Sequence, residues 1–295
     1  MKKLFFLHLA LLVGLSVSAQ DYTLQTFKDT RVINSHATET LAKRKLDVRI
    51  SHRFGDLAGD NGGFQTFFGL ESVADVLIGA EYGISDNWSV GLFRAKGAGV
   101  MPDGLPGLRQ LMNGTLKYRV LRQKQDNSMP VSVALLGVAT GSASQRVEGN
   151  PELIASFPKF IHRFAWHGQL IVSRKFSDGF SLQLAPGYTY RNLTPFGDAD
   201  NGLLSLSAAT RVQLTKVFAL IADATVPFSS ERTRSNGFYP ALGLGLEIDT
   251  GGHVFQVNFT NATGLMETDY IPYTTSNWLD GQFRLGFTIS RLFNL

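Results

Sequence analysis

The C-terminal stretch LDGQFRLGFTISRLFNL, residues 279–295, alternates apolar and polar side chains almost without a break. Successive side chains of an extended strand point to opposite faces. Leu279, Phe283, Leu285, Phe287, Ile289, Phe293 and Leu295 therefore share one face, and Asp280, Gln282, Arg284, Thr288, Ser290 and Asn294 share the other. The same period returns at 180–192, where Phe180, Leu182, Leu184, Pro186, Tyr188 and Tyr190 oppose Ser181, Gln183, Thr189 and Arg191. Runs this long exceed the ~5–6 residues of a strand in a soluble sheet. They match the ~9–11 residues of a tilted strand that crosses a bilayer.

Working outward, the same alternation marks twelve candidate strands near 43–54, 73–82, 88–96, 110–121, 130–141, 160–176, 179–192, 202–214, 217–228, 238–249, 253–263 and 279–294. Short gaps (83–87, 122–129, 177–178, 215–216, 250–252) alternate strictly with longer ones (55–72, 97–109, 142–159, 193–201, 229–237, 264–278). A soluble Greek-key sandwich has no reason to alternate in this way. The pattern predicts an all-β fold, an up-and-down antiparallel transmembrane β-barrel of about twelve strands over residues 43–295. Its short turns would be periplasmic and its longer loops extracellular.

Aromatic residues collect at both ends of the apolar phase. Tyr82, Trp88, Phe176, Phe180, Phe218, Phe255 and Phe293 fall near the short turns, and Phe54, Phe164, Tyr188, Tyr190, Phe228 and Phe238 near the long loops. Two such bands are expected where rings meet lipid headgroups, which makes outer-membrane lipid the first expected partner. The opposite phase carries Arg49, Arg53, Lys117, Arg119, Arg163, Lys175, Arg191, Arg211 and Arg284 with Asp47, Asp75, Glu81, Asp223, Glu247, Asp249 and Asp280. Charges of both signs suit a wet lumen, whereas a dry sandwich core would leave them at a cost of several kcal/mol for each unpaired ion, an order-of-magnitude figure. They either brace the wall and fill the bore or line a path through it. The mid-strand inward residues Arg49, Gln169, Gln183, Asp223, Asn258 and Arg284 are the candidates for contact with a small solute.

Lys2 and Lys3 precede an apolar run from Leu4 to Leu15, and Val17-Ser18-Ala19 supplies small residues for cleavage. This predicts a signal peptide over 1–19 and export, since the run is shorter than the ~20 residues of a membrane-spanning helix. Residues 20–42 lack the strand period and are expected as a periplasmic N-terminal segment or one that enters the lumen. Thr38 is placed to cap a short helix running to Lys45.

The chain has 295 residues, 44% hydrophobic and 18% charged, with 30 glycines and no cysteine. The missing cysteine excludes thiol catalysis, disulfides and Cys-ligated metals. A formal charge of +4 gives little support for nucleic-acid binding. No catalytic set, cofactor site or metal site emerges. His52 and His162 lie in the outward phase near the long loops, yet no outward serine and acid complete a triad. Ser173 and Lys175 share an inward face with His167 and Gln169, and nothing orients them as nucleophile and base. The histidines His36, His52, His162, His167 and His253 lack ligand spacing. Asp56, Asp60, Asn61 and Gly62, like Asp198, Asp200, Asn201 and Gly202, read as turn formers, because the terminal glutamate of a calcium loop is missing.

Three stretches carry a family resemblance: Thr26-Phe27-Lys28-Asp29-Thr30-Arg31-Val32-Ile33-Asn34, His52-Arg53-Phe54-Gly55-Asp56 and Phe68-Gly69-Leu70. From about residue 26 to the end the chain resembles a family of outer-membrane β-barrels of Bacteroidetes that has no assigned activity. The resemblance implies fold and location only. For function, the residues point to a narrow, charge-lined lumen for a small solute. The alternative is a barrel that scaffolds a periplasmic protein through residues 21–42, and a lipid-modifying enzyme is the weakest reading. Nothing in the sequence sets an oligomeric state.

Overall fold

The computed structural model describes residues 25–194 and 200–295, so the signal peptide expected at 1–19 lies outside the described residues. A two-stranded hairpin, β1 (Arg31–Val32) and β2 (Ser35–His36), comes first. Then follow β3 (Lys45–Phe54), β4 (Val73–Ser85), β5 (Trp88–Ala95), β6 (Leu111–Leu121), β7 (Ser132–Ser142) and β8 (Phe164–Ser177). The second half contributes β9 (Phe180–Arg191), β10 (Gly202–Gln213), β11 (Phe218–Phe228), β12 (Ala241–Asp249), β13 (His253–Thr260) and β14 (Arg284–Asn294). Strands β3 to β14 form a closed twelve-stranded antiparallel barrel, each pairing with its neighbours in sequence. The seam joins β14 to β3, with Gly286 opposite Arg53 and Asn294 opposite Lys45, so no sheet edge is left unpaired.

Alternation decides which face is which. Along β9 every even residue from Phe180 to Tyr190 is exposed and every odd residue from Ser181 to Arg191 is buried. Apolar side chains point out and polar ones in, the reverse of a water-soluble sandwich. One arc of the inner wall is nevertheless apolar: Leu77, Phe93, Leu136, Val138 and Ile171 cluster with Met266 and Tyr273 of the β13–β14 loop.

Several boundaries differ from the sequence reading. β14 starts at Arg284, because residues 278–280 form a 3-10 turn. The Asn277 side chain accepts from the amide of Leu279, and Gly281, at φ 72°, ends the turn in a region open to glycine. Asp280 is therefore an exposed loop residue, accepting from Asn277 Nδ2 at 2.7 Å, and does not point into the lumen. β8 starts at Phe164 after a 3-10 turn over Phe160–Arg163. Arg163 accordingly donates to the Ser142 carbonyl at 3.2 Å and lies 4.3 Å over the Phe157 ring. Phe238 precedes β12 and is buried in a loop beneath Arg232, 4.4 Å from its ring centre, so it is no part of an outer aromatic band.

Of the other band residues, Trp88, Phe176, Phe180, Phe218, Phe293, Tyr188, Tyr190 and Phe228 are exposed on the outer face. Tyr82, Phe54, Phe164 and Phe255 are half-buried in the same phase. Trp166, which the sequence reading left out, is exposed among them. The helix expected from Thr38 does not form. The chain turns at Arg44, φ 64°, directly into β3, and the Thr38 hydroxyl instead meets that of Ser173 at 2.6 Å.

Candidate functional site: the filled lumen and its mouth

Residues 25–42 run inside the barrel, the second of the two placements expected for them. At the short-turn end Lys28 pairs with Asp249 at 2.9 Å, and the Leu41 amide donates to Ser89 Oγ at 2.8 Å. From there the β1–β2 hairpin reaches into the bore. Its tip is fastened by Asp223, which accepts from the amides of Asn34 (2.8 Å) and Ser35 (3.0 Å), from Asn34 Nδ2 (2.9 Å) and from Ser35 Oγ (3.1 Å). Ile33 holds a left-handed φ of 50°, unusual for a β-branched residue. Gly243 makes room for it, since a Cβ there would come within 2.8 Å of Ile33 Cγ2. Arg49 binds Asp29 of the segment through both Nη1, at 2.9 Å, and Nη2, and it also reaches Asp47 at 2.9 Å. Gln183 Nε2 donates to the His36 carbonyl at 2.7 Å.

A second insert descends from the long-loop end. Residues 261–274 fold inward, and helix α1 (Glu267–Tyr273) is buried on every side. Asp269 accepts from the amides of Ala98 (3.0 Å) and Gly99 (3.1 Å) in the β5–β6 loop, where a Cβ on Gly99 would lie 2.5 Å from the carboxylate. Asp75 accepts from the amides of Gly97 (3.0 Å) and Leu265 (3.1 Å).

The two inserts meet inside. Arg31 donates to the carbonyls of Leu265 and Asn34, each at 2.8 Å, and His36 Nδ1 lies 2.7 Å from Glu267 Oε1. Arg53 bridges the Asn34 side chain and the carbonyls of Ala262 and Gly264. Burial pushes the His36 imidazole down to about 4, against the pull of Glu267. Burial by itself would raise the Glu267 carboxyl, but His36 and Arg31 hold it below its ordinary value. At neutral pH the contact is thus a neutral imidazole donating its Nδ1 proton to a carboxylate.

The six lumen candidates do not form one ring. Arg49, Asp223 and Gln183 grip the N-terminal segment. Gln169 donates to the Ala185 carbonyl and to Ser207 Oγ, both at 3.3 Å, and its Oε1 has no protein partner. Asn258 is buried with an unpartnered Oδ1. Arg284 stands apart at the long-loop mouth and donates to Ser276 Oγ at 2.8 Å. The sequence reading missed Asp29, Arg31, Asn34, His36, Glu267 and Asp269; their signal was a density of polar residues without a period.

The residues weighed for chemistry are dispersed. His167 Nδ1 lies 2.8 Å from Thr189 Oγ1, and Lys175 pairs with Asp178 at 3.4 Å. His52 stacks on Phe287, ring centres 5.5 Å apart, and His162 accepts from the Lys159 amide. Asp56 accepts from the Gly59 amide at 3.2 Å within a turn, and Asn201 Nδ2 donates to the Arg191 carbonyl across the base of the β9–β10 loop, whose Asp198 lies outside the described residues.

Two hollows remain. One, about 550 Å³, opens at the mouth between the long loops and is lined by Asp56, Asn61, Tyr239, Thr263, Asp280 and Arg284 among others. The other, about 460 Å³, is a notch in the outer wall where Gly114, Gly137 and Gly168 bring no side chains between Leu116, Trp166 and Tyr188.

Residues 27–293 match the family model described as "Membrane bound beta barrel domain (DUF5777)". Among solved structures, the NanC porin is 11% identical, with 85% of this chain and 100% of the porin covered and a TM-score of 0.49. The KdgM porin is 6% identical, with 85% and 99% covered and a TM-score of 0.47. An outer membrane channel from Pseudomonas putida F1 is 12% identical, with 87% and 98% covered and a TM-score of 0.47. No curated protein matched the chain.

Proposed function

Because the chain belongs to this family of membrane-bound β-barrel domains, we propose that it is an outer-membrane barrel shut at rest by its own N-terminal segment, passing a small solute when that segment leaves the lumen. Export through a cleaved signal at residues 1–19 is part of the same reading. The observation that carries it is the nature of the contact between segment and wall. Asp223, Arg49, Gln183 and Ser173 hold residues 29–38 by hydrogen bonds and ion pairs. The apolar part of the contact is confined to Phe27, Val32, Ile33 and Ala37 against Ala209 and Ile221. A hydrogen bond that can be exchanged for water is worth only ~0.5–1.5 kcal/mol net, so a mainly polar plug leaves its bore more readily than an apolar plug leaves an apolar one. The vacated wall would present Asp47, Arg49, Gln183 and Asp223 to the solute.

Scaffolding through residues 21–42 is disfavoured, because residues 26–40, Lys28 apart, are buried while the barrel is closed. The deciding experiment is single-channel recording in planar bilayers of the full chain and of a variant lacking residues 20–42. The full chain is expected to be silent, and the shortened one to give discrete steps whose ion selectivity shifts with Arg49→Glu. Silence from both, with folding shown by heat-modifiable migration in detergent gels, would overturn the reading.

A further inference from the structure

We propose that the hollow at the long-loop mouth is a binding site for a small monocarboxylate that also carries hydroxyl or amino groups, with Arg284 as its anchor. The hollow is walled by the β3–β4, β5–β6, β11–β12 and β13–β14 loops, and its volume of about 550 Å³ suits a small organic molecule.

Arg284 is distinguished by what it lacks. It is only 5% exposed, yet its guanidinium makes one hydrogen bond, to the neutral hydroxyl of Ser276, and Nε has no partner. The other buried arginines of the wall are matched to negative or carbonyl oxygen. Arg49 has Asp29 and Asp47, Arg119 has Glu39 and Arg211 has Glu247. Arg53 has two carbonyls and the Asn34 side-chain oxygen. Among the described residues no carboxylate comes within ion-pair distance of Arg284; Asp56, elsewhere on the hollow's lining, attracts it only from farther off. A buried cation without an anion is unfavourable, and the planar fork of a guanidinium is shaped to take a carboxylate by two parallel hydrogen bonds. Thr263, on the same wall, has a hydroxyl that is also buried and unpartnered.

The rim sets the rest of the ligand. Asp56 and Asp280 line the hollow, so a dianion would meet two like charges. A monocarboxylate bearing hydroxyl or ammonium hydrogens satisfies Arg284 at one end and these carboxylates at the other. Asn61 and Tyr239 add neutral polar partners. The site stands whether or not the lumen opens, because it lies above the meeting point of the two inserts and binding is read without conductance.

The test is calorimetric titration of the full chain, folded in detergent, with gluconate, lactate and glutamine, and with sorbitol and inorganic phosphate as controls. At least one of the three monocarboxylates is expected to bind, sorbitol not to bind, and phosphate to bind more weakly. Arg284→Gln should weaken the bound monocarboxylate ~10–100-fold, the range for loss of a charge-assisted pair, with folding checked by gel migration. Arg284→Lys, which keeps the charge and loses the fork, should weaken it by a smaller factor. Asp280→Asn, on the exposed rim, should leave folding intact and narrow the preference for monocarboxylate over phosphate. Failure of all three to bind, equal binding of sorbitol, or binding indifferent to Arg284→Gln would each overturn the proposal.

Discussion

Arg49 joins two parts of the chain, since Asp29 comes from the inserted segment and Asp47 from its own strand. Removing one member of a buried ion pair costs ~3–5 kcal/mol, because the charges left behind stay poorly solvated. Arg49→Met is expected to leave Asp29 and Asp47 facing each other and to loosen the segment, seen as faster amide hydrogen exchange across residues 29–36. Unchanged exchange would mean that this pair does not fasten the segment. Asp223 is the complementary case, a single carboxylate taking four donors from Asn34 and Ser35. Asp223→Ala should speed exchange of the Asn34 and Ser35 amides while exchange at Leu41, held by Ser89, stays as it was.

At the scale of elements, the contact between the hairpin and α1 is acid-sensitive with a definite sign. His36 has a lowered folded value of about 4 against the usual 6.5, so the undocked form takes up a proton first. Docking is therefore at full strength above about pH 6.5 and weakens as pH falls toward 4. Glu267, held below its ordinary value, acts in the same direction at still lower pH. The protection factors of the β1 and β2 amides should fall over that window, and His36→Gln should flatten the fall.

The elements also show what a sequence can reveal. β9 was legible to within a residue or so at each end, 179–192 against Phe180–Arg191, because lipid on one side and polar lumen on the other impose strict alternation. At 279–283 and 160–163 the alternation continues by chance through 3-10 turns fixed by local hydrogen bonds. Residues 26–42 meet polar partners on most sides and set Phe27, Val32, Ile33 and Ala37 against Ala209 and Ile221 of the wall, so no period marks them. α1 is seven residues long, contains Pro272 and is buried all round, leaving no amphipathic stripe to find. The same physics divides the site. Arg49, Gln183 and Asp223 were found because they alternate, and their partners were missed because they do not. Arg284 was found as an inward residue, but its position at the mouth depends on loops that no periodicity describes.

For the molecule as a whole, the outer face is the decisive surface. Leu92, Leu204 and Leu244 are each more than half exposed, and with the outward aromatics they form an apolar band that water would not tolerate. The purified protein should be monodisperse only with detergent or lipid, and a water-soluble monomer would remove the membrane assignment. Leu244→Arg, midway along β12 on that face, should cost ~2–4 kcal/mol in denaturant titrations in bilayers. Thr225→Ser, on the inner face of β11, should change stability by much less.

The closure between β3 and β14 has a consequence for assembly. The wall can be sealed only when the last strand made reaches the first, and the segment that fills the interior precedes every strand of the wall in the chain. The hairpin and the residues 37–44 that join it to β3 together grip β8 through Thr38 on Ser173, β9 through Gln183 and β11 through Asp223. It thus acts as a mandrel, gathering strands from around the ring to a fixed circumference before the cylinder is sealed. A chain without residues 20–42 should reach the same heat-resistant form more slowly, with more of it trapped as open, aggregation-prone sheet along the way.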